Sequence, residues 1–276
     1  TIRMRDKVRP DKLREAVEQA LLRFPHMMLT AEPTETAFRY RRNVQPAVVL
    51  PFDGVSTRYT IGSKDTNGYL FLVGYHDKTI YMEYQHSISD GRGFEEFIRC
   101  VLFQYLKNCG FPVENDGSVR GMDTRWSPEE SANGYEQLAD REFSPDGIWK
   151  KPEAVHAPEV QWGADGSEVV TEVTFPFSQL HDYAKSIGVS PLSVLAPLMM
   201  KAFDDKFGGT DKPVIAEIPV DLRPLLPTLT TRYFICFIDL PYFPEYRDLP
   251  NDEVFRRTKA FLKDQMPVSY THLRAH

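Results

Sequence analysis

The run Tyr84-Gln85-His86-Ser87-Ile88-Ser89-Asp90-Gly91-Arg92-Gly93 concentrates more potential chemistry than any other stretch of the chain. Imidazole titrates near neutral pH, so His86 suits a general base that takes a proton and later returns it. A loop of small polar residues can hold the ring by hydrogen bonds, and Asp90 can fix that loop by pairing with a cation. A strand that delivers a histidine to a loop before a helix is a common place for a catalytic group, because the strand fixes where the side chain starts. The same letters also describe a hairpin-end histidine followed by an Asp-Gly turn with no chemistry. The residues alone leave both readings open.

Other candidates offer less. His76 precedes a hairpin turn, and His26, His156 and His181 stand in unrelated contexts, which suits surface or satisfied core positions. Neither His76 nor His86 has a cysteine or carboxylate at ligand spacing, so no metal site is expected. Asp204-Asp205 and Glu95-Glu96 read as solvated helix faces. Gly208-Gly209 reads as a turn rather than a phosphate loop, because no Gly-Lys-Ser/Thr follows. Cys100, Cys109 and Cys236 form no C-x-x-C, which argues against a disulfide framework or structural zinc and fits a reducing cytoplasm. Cys236, mid-strand among apolar neighbours, reads as inert core.

The motif needs elements to hold it, and the hydrophobic periodicity supplies them. Residues 1–8 read as the end of a strand, and Pro10 opens a helix at its favoured first-turn position. Leu13, Ala16, Val17, Ala20, Leu21 and Phe24 recur at helical spacing until Pro25. Segments 69–76 and 79–86, separated only by Asp77-Lys78, predict a hairpin that ends on His86. A helix follows with Phe94, Phe97, Ile98, Val101 and Tyr105 on one face and Gly110 at its end. From residue 111 to about 166 the pattern dissolves into Pro, Gly, Asp, Glu and Ser, the composition of a crossover. Periodicity returns with a strand over 169–175 and a helix capped by Ser178, with Leu180, Tyr183, Ala184 and Ile187 inside. A further helix starts at Ser190-Pro191 and is expected to kink at Pro197; strands over 214–222 and 233–240 and a helix over 252–266 close the pattern.

The 276 residues, 42% of them hydrophobic, suffice to bury a core. Lys and Arg number 33 against 39 Asp and Glu, a formal charge of −6, which argues against a nucleic-acid backbone as partner. No apolar run approaches the roughly 18–20 residues of a membrane span. Aromatics at 12% and charged residues at 26% exclude wholesale disorder. The chain opens on Thr1 without a charged-then-apolar leader. Its last stretch, 268–276, resembles the translated read-through of a transposase sequencing adapter and is set aside as non-native, on which reading the native sequence continues past about Pro267.

The spacing His-x-x-x-Asp-Gly resembles the signature of the chloramphenicol acetyltransferase-like acyltransferases, a superfamily that includes alcohol acetyltransferases and peptide-synthetase condensation domains. Two further stretches match in order and distance. Leu22-Arg23-Phe24-Pro25-His26 resembles the family's first helix end, and Pro219-Val220-Asp221-Leu222-Arg223-Pro224 resembles its second-half strand ending in arginine. Ser186-Ile187-Gly188-Val189-Ser190 resembles the start of a long helix in that half. The closest likeness is to bacterial alcohol acetyltransferase-type proteins. Gln85 stands where many relatives carry a first histidine, and Tyr233 where relatives often carry asparagine.

The resemblance implies an α/β two-layer sandwich of two similar subdomains, the second incomplete. Residues 1–110 would form the first subdomain, 111–165 the crossover, 166–267 part of the second, and 268–276 the foreign tail. It implies His86 as catalytic base, with Asp90, Gly91 and Arg223 as support: Asp90 pairs with Arg223, and Gly91 leaves room for the thiol end of the donor. The implied reaction moves an acyl group from a coenzyme A or carrier-protein thioester to an alcohol or amine. Acyl-CoA or an acyl carrier is then a co-substrate, no cofactor or metal is held, and the implied location is the cytoplasm. The alternatives are a condensation-type domain acting on carrier-bound substrates and a catalytically silent scaffold. Activity is expected of a full-length parent, and the chain as written is expected to be inactive or poorly soluble.

Overall fold

The structure, a computed structural model, describes residues 1–52, 59–138, 149–157 and 173–269, with side chains to residue 266. The chain divides into two compact units: Thr1–Gln137 with Asp221–Phe234, and Leu138–Val220 with Ile235–His276. Residues 111–137, at the start of the expected crossover, and 221–234, within the expected second half, thus group with the N-terminal unit.

The N-terminal unit is built on a four-stranded sheet. Strand β1 (Ile2–Arg3) is only the first part of the strand expected over 1–8, and helix α1 (Pro10–Arg23) follows with proline in its first turn. Strands β2 (Leu29–Pro33) and β3 (Phe38–Arg42) form a separate antiparallel pair that periodicity does not announce, since every β3 residue is exposed. Strand β4 (Leu50–Pro51) runs parallel to β5 (Phe71–His76), and β5 pairs antiparallel with β6 (Thr79–Tyr84) as the expected hairpin. The sheet order is β1-β6-β5-β4. Helix α2 (Gly91–Asn108) packs beside α1.

Register explains the core. Phe71, Val73 and Tyr75 lie opposite Tyr84, Met82 and Ile80, so these six side chains share one face of the hairpin. All six join the cluster formed by Leu13, Val17 and Phe24 of the α1 region and Phe94, Phe97 and Val101 of α2. The aromatic rings meet edge to face, Phe97 against both Phe24 and Phe71, while Tyr84 stacks on Phe94 at 4.0 Å. Gly110 takes φ +88° after α2, a conformation that ends the helix without a Cβ penalty.

The second unit contains α3 (Phe177–Ser186), α4 (Pro191–Phe207), β7 (Val214–Asp221, whose last residue belongs to the first unit), β8 (Ile235–Tyr242) and α5 (Asn251–Ser269). Strands β7 and β8 pair, and their core is filled by Met200, Val214, Ile238, Leu240, Val254 and Leu262. Several expectations need correction here. Pro176, not Ser178, occupies the N-cap position of α3, and no side chain caps it. Tyr183 is exposed, not inside. Asp204 is buried against Arg247 at 2.8 Å instead of lying on a solvated face. Residues 173–175 of the expected strand are not strand, and 169–172 lie outside the described residues, as do 270–276 of the tail. No single helix among the described residues is long and apolar enough to cross a membrane.

Candidate active site

Every residue of the candidate site belongs to the N-terminal unit. The β5–β6 ladder ends at Tyr84, and one further backbone bond, from Gln85 N to Leu70 O at 2.9 Å, holds the strand end in place. The chain then turns, closed by Ile88 N donating to Gln85 O, and drives Ile88 into the core. His86 stands at the start of this turn with its side chain exposed. A rigid strand end therefore presents an imidazole to solvent.

No described residue hydrogen-bonds either ring nitrogen of His86, so the expectation that the loop's small polar residues hold the ring by hydrogen bonds is corrected. Two tyrosines flank it instead: Tyr84 at 5.4 Å and Tyr233 edge-on at 5.9 Å between ring centroids. Burial raises the pKa of both phenols, and the nearby charge of Asp90 adds to the effect.

Asp90 is only 1% exposed, and both of its carboxylate oxygens are bonded within the protein. Its Oδ1 accepts from Gly93 N at 2.7 Å, which caps α2. Its Oδ2 accepts from Arg223 Nη2 at 3.0 Å and from Phe234 N at 2.7 Å. Arg223 in turn donates to Asp221 and to the carbonyl oxygens of Thr230 and Arg232. One guanidinium thus ties residues 221–232 to the first turn of α2, although 133 positions separate Arg223 from Asp90. Such a charge-assisted network orients its neighbours because moving any member unpairs a buried polar group.

Gly91 and Gly93 differ in what they allow. A Cβ at Gly91 would meet only Tyr84 Oη, at 3.9 Å, so nothing in the protein demands glycine there. A Cβ at Gly93 would run into the Thr231 carbonyl and lie 2.6 Å from Ser89 Oγ. Gly93 is the glycine that packing requires, although no local pattern marks it out.

The sequence also does not single out Glu130, which forms a buried bidentate pair with Arg23 at 2.9 and 3.1 Å. Its backbone carbonyl accepts from Thr231 N, so the segment after residue 111 buttresses the same strand of chain that carries Arg223. A cavity of about 580 Å³ lies nearby, lined by Arg92, Glu96, Arg120, Asp221 and Arg223 among others, and His86 is not part of its lining. Its arginines are engaged: Arg120 lies 3.7 Å from Glu96 and 3.5 Å from Glu130, and Arg92 bonds Glu95. Of the remaining histidines, His76, His156 and His181 are exposed, and among the described residues no three His, Cys, Asp or Glu side chains converge on a metal geometry. Cys236 is buried, and burial pushes its thiol up to about 11.

No family model and no curated protein matches the chain. Solved structures do. Polyketide synthase associated protein 5 from Mycobacterium tuberculosis aligns with a TM-score of 0.65 at 15% identity, covering 98% of this chain and 70% of that one. The SgcC5 protein from Streptomyces globisporus aligns at 0.59 and 14% identity, over 98% of this chain and 66% of its own. A variant of the starter condensation domain of rhizomide synthetase RzmA, solved with C8-CoA, aligns at 0.57 and 15% identity, over 96% and 65%. The chain therefore has the α/β fold of the condensation domains and chloramphenicol acetyltransferase-like proteins, and it spans about two thirds of the length of these structures.

Proposed function

We propose that the protein is an acyltransferase in which His86 is the general base and the donor is a coenzyme A or carrier-protein thioester. The observation that supports this most is the pairing of an exposed histidine at a strand end with a buried aspartate whose two oxygens are both bonded within the protein, to Gly93, Arg223 and Phe234. Asp90 has no free oxygen to offer a substrate, so the proton chemistry of the motif falls to His86.

In the proposed reaction His86 takes the proton of an alcohol or amine as its oxygen or nitrogen bonds to the thioester carbonyl carbon. The tetrahedral intermediate collapses, the C–S bond breaks, and the imidazolium returns the proton to the departing sulfur. Protons balance within the cycle, and no cofactor is consumed. The open side of Gly91, at the positive end of α2, leaves room beside the base for a slender thiol arm. A condensation-type reading, with both substrates on carrier proteins, draws support from the condensation-domain structures among the likenesses; an alcohol acceptor with free acyl-CoA is the other form of the same reading.

Thiol release distinguishes these. Acyl-CoA and an acylated carrier protein are each offered with an alcohol or amine acceptor, and free thiol is followed with and without acceptor. Acceptor-dependent release from one donor class is expected. A folded protein that releases no thiol from either would overturn the reading.

A further inference from the structure

His26 lies outside the motif and was expected at a surface or satisfied core position; it is half-buried in a one-turn helix at Pro25–Met27 directly after α1. Its Nε2 is 2.6 Å from Thr231 Oγ1. The Thr231 hydroxyl donates to Glu130 O at 3.0 Å, so its one proton is used and the imidazole is the donor of the shorter bond. Nδ1 is then a bare lone pair, buried without a hydrogen-bond partner. Arg23, Arg120 and Arg232 lie around the ring with Glu130 among them, and burial lowers its pKa to about 4. The ring is held neutral in a single tautomer.

What it grips is the segment that supports the motif. The Thr231 carbonyl accepts from Ser89 Oγ at 2.6 Å, within the motif itself, and is the same carbonyl that leaves no room for a side chain at Gly93. On either side of Thr231, the carbonyls of Thr230 and Arg232 receive Arg223. We propose that His26 is a positioning residue: by holding Thr231 it fixes Ser89 and Arg223, and through them the turn that carries His86. This rests on the reading of His86 as the base.

Three variants test it. His26→Leu removes the donor at similar volume, His26→Gln keeps an N–H near the Nε2 position, and Thr231→Val removes the hydroxyl and keeps the shape. Two readouts are taken on the folded proteins: kcat and KM for acyl transfer, and the NMR titration of the His86 ring, which needs no turnover. His26→Leu and Thr231→Val should each lower kcat about tenfold with KM little changed, the double variant should be no worse than either, and His26→Gln should recover most of the loss. The His86 titration should move in His26→Leu and return in His26→Gln. Wild-type kcat and an unmoved His86 titration in His26→Leu, or a loss that His26→Gln does not recover, would overturn the proposal. If His26→Leu does not fold, Thr231→Val against His26→Gln carries the same decision. A wild-type protein without transferase activity would remove the reading of His86 as base, and the titration alone would then decide whether His26 sets the turn.

Discussion

At the scale of single residues, Gly91 and Gly93 separate function from packing. Gly93→Ala forces a methyl group into the Thr231 carbonyl, which the network around Arg223 does not let move, so we expect a loss of about 2 kcal/mol or more in chemical denaturation. Gly91→Ala meets only open space and replaces a flexible residue in the first turn of α2, so stability should hold or rise slightly. Its cost should fall on the donor: KM for the thioester should rise while the unfolding midpoint stays put. His26 makes a second residue-scale prediction, this one in pH. Its folded-state pKa lies at about 4 against a usual 6.5, so as pH falls the unfolded chain takes up the proton first. The stability it contributes is complete above about pH 6.5 and is lost progressively down to about pH 4, to the order of 3 kcal/mol. Urea denaturation at pH 7 and pH 4.5 should show a smaller acid loss in His26→Gln than in the wild type; an equal loss would assign the acid sensitivity elsewhere.

At the scale of elements, the Asp90–Arg223 pair joins α2 to the segment after β7. Removing either partner leaves the other buried and unpaired, so Asp90→Ala and Arg223→Met should each cost about 3–5 kcal/mol, and the double variant far less than their sum. An additive cycle would mean that the two do not depend on each other. The elements themselves were legible where one face is buried. Leu13, Val17 and Leu21 of α1 and Phe94, Phe97 and Val101 of α2 carry the helical period because each set faces the same core. The β2–β3 pair was not legible, since Phe38 at 68% exposure and its neighbours Arg39, Arg41 and Arg42 show no buried face to generate a pattern. Phe237 of β8 shows the limit in the opposite sense: it is apolar yet exposed, while Ile238 and Leu240 of the same strand are buried. Within the site, His86, Asp90 and Arg223 stood out by type and spacing. Gly93, Glu130 and His26 did not, because what constrains them is Thr231 or Arg23, far away in sequence, and no local pattern records a contact of that range.

At the scale of the whole molecule, the chain enters the N-terminal unit twice, through Thr1–Gln137 and again through Asp221–Phe234. The second visit is short and brings no helix; it is held by hydrogen bonds from both side chains and backbone, with Arg223 and the Phe234 amide on Asp90 and Thr231 on Glu130 and Ser89. Hydrogen exchange should report this division. Asp90→Ala should strip protection from the amides of Gly93 and Phe234 and leave those of α5 near their wild-type values, since α5 packs on β8 and α4. Loss spread evenly over both units would show that they open as one. The likeness to condensation domains shows the fold alone, and the proposal of chemistry rests on His86. The most direct measurement is the rate of thiol release from the acyl thioester, in the presence of acceptor, by wild type and by His86→Ala, with unfolding midpoints taken in parallel. The account predicts a fall of about 10²–10⁴-fold in kcat at an unchanged midpoint, because the side chain is exposed and bonds no described residue. Undiminished turnover in His86→Ala would contradict it.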